Sequence, residues 1–171
     1  MSVASPPHSN PPSTVRWRRE VPEAIRSLGA LADADYADIV TAAVDATPPQ
    51  PERFVHEVLD DLPRWLPPLI AFVQRAFLGL RLKLRPSPDR LLGWKIVERG
   101  GTWMRIETAS WFMTCHVVMH VAEGQVSIAS FIRYDRRLAA FVWPPVSLIH
   151  RQVALTLVRR GIALCDPGSR V

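Results

Sequence analysis

The chain holds two cysteines, Cys115 and Cys165, too few for a disulfide framework. Cys115 sits in an apolar run and reads as a small core residue. There is no Gly-x-Gly-x-x-Gly, no Gly-x-Ser-x-Gly elbow, no phosphate-binding loop and no Cys-x-x-Cys. A dinucleotide-binding domain is thereby excluded, and no cofactor is expected. An enzyme is disfavoured but not excluded, because acid–base chemistry can draw on scattered residues. No uninterrupted apolar segment follows the basic residues Arg16, Arg18 and Arg19, so no secretory signal is read. The most apolar stretch, Leu66 to Leu80, is interrupted by Pro67, Pro68, Gln74 and Arg75. It is also shorter than the roughly 20 residues a spanning helix needs. These absences point to a cytoplasmic protein.

What is present is a chain of 171 residues, 48% of them hydrophobic, enough for one domain with a real core. The formal charge of +5 is uneven. Residues 1–80 carry 7 basic and 10 acidic side chains, and residues 81–171 carry 14 and 6. A basic second half suits an anionic ligand, a membrane surface or a nucleic acid, or simply a solvated arginine-rich surface.

Residues 1–14 are rich in Pro, Ser and Asn, which predicts a disordered tail, extended to residues 1–20 by the basic run. Tyr36 to Val44 reads as a first strand, with one wet face because Asp38 interrupts it. Pro51 opens a helix in which Phe54, Val55, Val58, Leu59 and Leu62 recur at helical spacing. Pro67 and Pro68 open a second, apolar around most of its circumference and so expected to be largely buried, with Gly79 at its stop. From Trp94 the period changes to two. Strands are expected over 94–98, 103–108, 111–121 and 125–134, with turns at Gly100-Gly101 and Glu123-Gly124. The last segment returns to helical spacing, with Val142, Val146, Ile149, His150, Val153, Leu157 and Leu164 as its stripe. That helix either starts at Pro145 or runs from about Leu138 and kinks at Pro144 and Pro145.

The order strand, two helices, antiparallel meander and long terminal helix resembles the α+β helix-grip fold, in which a curved sheet grips the last helix. Four pieces carry a more particular resemblance: Asp61-Leu-Pro-Arg-Trp65 running on to Leu78-Gly-Leu80; Gly93-Trp94 with Glu98; Phe131-x-Arg133-Tyr134; and Val146-x-x-x-His150-Arg151 with Arg159-Arg160. In that order they resemble a bacterial family of unassigned activity within the superfamily of START lipid-transfer domains and pollen allergens. The resemblance covers roughly residues 20–165, so the domain is placed at 21–165 with a short tail at 166–171. Members of that family stand alone or are appended to short-chain-dehydrogenase-like proteins. The resemblance therefore implies a possible oxidoreductase partner but assigns no catalytic residue.

The residues themselves suggest a container. On the strand over 111–121, one face carries Trp111, Met113, Cys115, Val117, Met119 and Val121, soft and apolar. It fits a plain core or the wall of a hydrophobic cavity. The other face, with His116 and His120, is expected near water. Those two histidines share a face, but about 13 Å of strand separates them, too far for one zinc ion. No metal site is expected. His150, on the helix stripe, is either a polar anchor in the cavity or a core histidine bonded to a strand. Arg133 and Tyr134 would orient a polar or anionic ligand end, or belong to a solvated turn. The leading reading is non-catalytic binding of an apolar or amphipathic small molecule by Trp111, Met113, Cys115, Met119, Val146, His150 and Val153. The alternatives are a cavity enzyme using His150 or Tyr134 for proton transfer, or an accessory module of an oxidoreductase. Arg81, Lys83 and Arg85 beside the apolar second helix admit peripheral membrane contact. Trp65, Trp94, Trp103, Trp111 and Trp143 lie among apolar neighbours and are expected to be buried, which argues against nucleic acid.

Overall fold

A computed structural model describes residues 14–44, 50–83, 85, 87–122 and 124–165. The strands are β1 (Val15–Arg18), β2 (Tyr36–Ala43), β3 (Arg90–Leu91), β4 (Trp94–Arg99), β5 (Trp103–Ala109), β6 (Thr114–Ala122) and β7 (Gln125–Arg133). The helices are α1 (Glu23–Gly29), α2 (Pro51–Asp60), α3 (Leu66–Leu78) and α4 (Arg137–Cys165). All seven strands join one antiparallel sheet in the order β1-β2-β7-β6-β5-β4-β3. The curved sheet carries the long α4 on its inner face, which is the α+β helix-grip architecture.

The expected first strand is the second. Val15–Arg18 pairs antiparallel with β2, so the end of the segment read as tail is an edge strand. Residues 1–13 and the tail at 166–171 lie outside the described residues, as do Thr47-Pro-Pro and Glu123. The helix α1, seven residues long, is too short for periodicity to register. It covers the outer face of the sheet, where Val21, Ile25 and Leu31 pack on Ile39, Val118, Ala129 and Phe131. This corrects the expectation that the His116 face meets water. Val118 is fully buried there, and His116 is buried with its Nδ1 2.8 Å from the Gly29 carbonyl. Gly29 has no alternative side chain, because a Cβ would stand 2.6 Å from the Phe131 ring.

The strand expected from residue 111 begins at Thr114. Ser110 closes a turn instead: its Oγ accepts from the Phe112 and Met113 amides, and its own amide donates to the Met113 carbonyl. Trp111 is thereby swung outside.

On α2, Phe54, Val55 and Val58 are buried and Arg53 pairs with Glu57 one turn on, on its exposed side. The next helix departs from expectation. Of the thirteen residues of α3, Ala71 and Leu78 are buried. Phe72 and Phe77 are 65% and 69% exposed, and Trp65 just before the helix is exposed too. Gly79 ends α3 in the left-handed conformation (φ 58°), as its position suggested.

The terminal helix α4 runs through Pro144 and Pro145 without a break in assignment. Its buried seam lies one residue away from the expected stripe: Ala139, Trp143, Ser147, Ala154, Val158 and Ile162 face the sheet. Small residues in that seam let the helix approach closely. Gly161 belongs to it, seated against the ring of Phe54 from α2. The larger aliphatics Val142, Val146, Leu157 and Leu164 flank the seam and are partly buried.

Candidate ligand cavity between α3, α4 and the sheet

An apolar cavity of about 260 Å³ lies between α3, α4 and the inner face of the sheet. Leu69, Ile70 and Val73 form its α3 wall, Val146, Ile149 and Val153 its α4 wall. Cys115, Val117 and Ile132 form its floor. Period-two alternation explains the floor: Cys115 and Val117 share one face of β6, and Cys115 stands opposite Ile132 of β7. Helical spacing explains the α4 wall, since positions 146, 149, 150 and 153 follow one another around one side. Trp94, Trp143, Gln74 and His150 bring the polar atoms at the cavity's edge. The Gln74 carbonyl accepts from the Trp94 indole N–H at 3.2 Å.

His150 is half-buried, with Nε2 2.9 Å from Ser130 Oγ. Burial lowers its pKa below the ordinary 6.5, against the opposing pull of the Asp38 charge. Its ring stands 5.5 Å from that of Trp143, which in turn meets Tyr36 edge-on at 5.3 Å. Behind this wall is a sealed polar cluster. Asp38 is buried, correcting the expectation of a wet face, and accepts from Tyr36 Oη at 2.7 Å and Trp17 Nε1 at 3.0 Å. Burial, then the bond to Asp38, pushes the Tyr36 phenol up to about 12, so it remains a donor. Arg19 lies over Tyr36 and Arg151 over Trp17, tying β1 to α4. None of this cluster was legible from spacing, because its members are 17, 36, 38, 130 and 150 in sequence.

Serine, histidine and aspartate thus come near one another without forming a nucleophilic triad. Ser130 is fully buried and is not among the residues lining the cavity. Asp38 holds Tyr36 and Trp17, and no hydrogen bond joins it to His150. Ser130 anchors the imidazole and is not placed to attack a ligand. Cys115 lines the floor, but burial and then the Asp135 charge push its thiol up to about 12, which leaves it protonated and inert.

The other sequence candidates lie elsewhere. Met113 is a core residue and Met119 packs against the core, and neither lines the cavity. Trp111 is 55% exposed, against the C-terminal end of α3, with Arg136 5.5 Å above its ring. Arg133 is paired with Asp135 at 2.8 Å and Asp33 at 3.7 Å, and does not reach the cavity. Burial acts to raise the Asp135 carboxyl, but hydrogen bonds from Thr114 and Arg133 outweigh it and hold the carboxyl low. The amide of Tyr134 donates to Asp35 at 2.6 Å. Burial, then Asp35, raises its phenol, so it keeps its proton. Of the expected tryptophans, Trp94 and Trp143 are buried, Trp103 is half-buried, and Trp65 and Trp111 are exposed.

Sequence reasoning missed the contribution of α3: Leu66, Leu69, Ile70, Val73, Gln74 and Leu78 all line the cavity. The signal was the all-round apolarity of that helix, taken as burial in a core. Among the described residues no three of His, Cys, Asp and Glu gather as a metal-binding group, and no helix is long and apolar enough to cross a membrane. No protein-family model matches the chain, and no curated protein matches it in sequence.

Proposed function

We propose that this chain is a binding domain for a small apolar or amphipathic molecule held between α3, α4 and the sheet. The observation that carries the proposal is the cavity itself. Its volume of about 260 Å³ exceeds the ~150 Å³ at which a buried apolar cavity accepts benzene. It falls short of the ~300 Å³ where drug-sized pockets begin. A ligand of roughly ten non-hydrogen atoms, or the end of a longer chain, suits that space.

The lining favours a ligand with at most a neutral polar end. Its polar groups, the His150 imidazole, the Gln74 amide and the indoles of Trp94 and Trp143, are neutral, and no cation is among the residues around it. The anionic end expected at Arg133 and Tyr134 is disfavoured, since Asp33 and Asp135 already balance Arg133. Acid–base catalysis is the weaker reading. His150 is a base with access to the cavity, but no carboxylate or phenol lines the cavity to work with it.

The test is uptake of neutral 1-naphthylamine, a fluorophore of roughly ten non-hydrogen atoms whose emission shifts to the blue in apolar surroundings. Val153→Trp fills the α4 wall and should weaken uptake at least about tenfold, while Met113→Leu, in the adjoining core, should leave it unchanged. Equal uptake by folded Val153→Trp would reject this cavity as the binding site.

A further inference from the structure

Helix α3 presents a stripe of large apolar side chains to solvent. Trp65, Leu69, Val73 and Phe77 recur every fourth residue, with Phe72 beside them, and all five are exposed. Helix α4 adds a second stripe in its first half, where Leu138, Phe141, Leu148 and Ile149 are exposed, Phe141 at 78%. The two stripes adjoin, because Leu69 and Val73 of α3 and Ile149 of α4 line one cavity and reach the surface. Trp111 extends the patch past Gly79 at the end of α3. Contiguous apolar surface of this kind marks an interaction site.

The charges within its two segments have one sign. No Asp or Glu occurs from Leu62 to Lys83 or from Arg136 to Cys165. Within those segments Arg64, Arg75, Arg81, Lys83, Arg136 and Arg137 are all exposed. The carboxylates that border the two segments in sequence are already paired, Asp61 with Arg160 and Asp135 with Arg133. Two copies of such a face would repel each other, and a protein partner would need a matching acidic rim. An anionic bilayer supplies both halves at once: a plane of negative charge for the arginines and acyl chains for the aromatics.

We infer that α3 and the first half of α4 form a docking face for an anionic phospholipid surface. Phe72, Phe77 and Phe141 enter the headgroup–acyl boundary, and the flanking arginines meet lipid phosphates. Trp111, stacked beneath Arg136, has the aromatic–cation character of an interfacial anchor. The mouth of the cavity opens within that face, so an apolar ligand passes between bilayer and cavity without crossing water. The docking face does not depend on the cavity being filled, and the two are tested apart.

The experiment is vesicle flotation of the full chain, on phosphatidylcholine alone and on equal parts phosphatidylcholine and phosphatidylglycerol. The wild-type chain should float with the anionic vesicles, at least about fivefold more than with the neutral ones. Phe72→Asp with Phe77→Asp should lower that flotation at least about tenfold with the circular-dichroism spectrum unchanged. Val153→Trp should float like wild type, whatever it does to dye uptake. Wild-type protein that stays with the soluble fraction on anionic vesicles, or floats equally on both compositions, overturns the inference. So does a stable dimer by light scattering that the double variant abolishes, which would assign the face to a second copy of the chain.

Discussion

Helices α2 and α3 follow one another, both have proline in the first turn and both carry large apolar side chains, yet they meet opposite fates. In α2, Phe54, Val55 and Val58 face the core while Arg53 and Glu57 face water. In α3 the buried side chains are Ala71 and Leu78, several others line the cavity, and the aromatics Phe72 and Phe77 face outward. A helix with one charged side states which way it sits. A helix apolar all round does not, and α3 uses its ambiguity to roof a cavity and expose a sticky outer surface.

The sharpest way to break this comparison is a matched pair of truncations. Phe54→Ala should cost about 3–5 kcal/mol in urea unfolding, since it empties a packed site against Gly161. Phe72→Ala should change stability by no more than about 0.5 kcal/mol, because its ring contributes to surface and not to core. Similar losses from both would mean that α3 is packed like α2, and that the outer stripe is misassigned.

A smaller effect probes the α4 wall of the cavity that α3 roofs. His150 has its folded pKa below 6.5, so the unfolded chain takes up its proton first as pH falls. The stability it confers is complete above pH 6.5 and is lost as pH drops through the folded value. The slope is no steeper than about 1.4 kcal/mol per pH unit, the limit for one proton. In His150→Gln, whose amide keeps a hydrogen bond within reach of Ser130, that component of the slope should vanish. Melting temperatures measured across the window check it, and identical slopes in both chains would remove the imidazole from the cavity wall.

Much of the fold was legible in the sequence. The change of period at Trp94, the turns at Gly100 and Gly124 and the prolines before α2 and α3 place most elements within a few residues. The register of α4 was not legible, because attention to large aliphatics picks Val146 and Val153 while Ala139, Ser147 and Ala154 make the close contact with the sheet. Those same aliphatics, displaced from the seam, are what border the cavity, so Val146, His150 and Val153 fall at its wall. Cys115 falls at its floor through strand alternation alone. Trp111 was misplaced by a local competitor: the Ser110 hydroxyl captures two amides and delays the start of the strand to Thr114. The Asp38 cluster depends on β1, whose four residues are too few to show a period, and so a buried carboxylate read as a wet one.

The central claim is that the space between α3, α4 and the sheet takes up an apolar molecule. The decisive measurement is the set of intermolecular nuclear Overhauser contacts between bound 1-naphthylamine and the protein's methyl groups. Contacts to Val117, Val146 and Val153, with none to the exposed Leu148, are the predicted result. Contacts confined to Leu148 and its exposed neighbours, with the three valines silent, would contradict the claim.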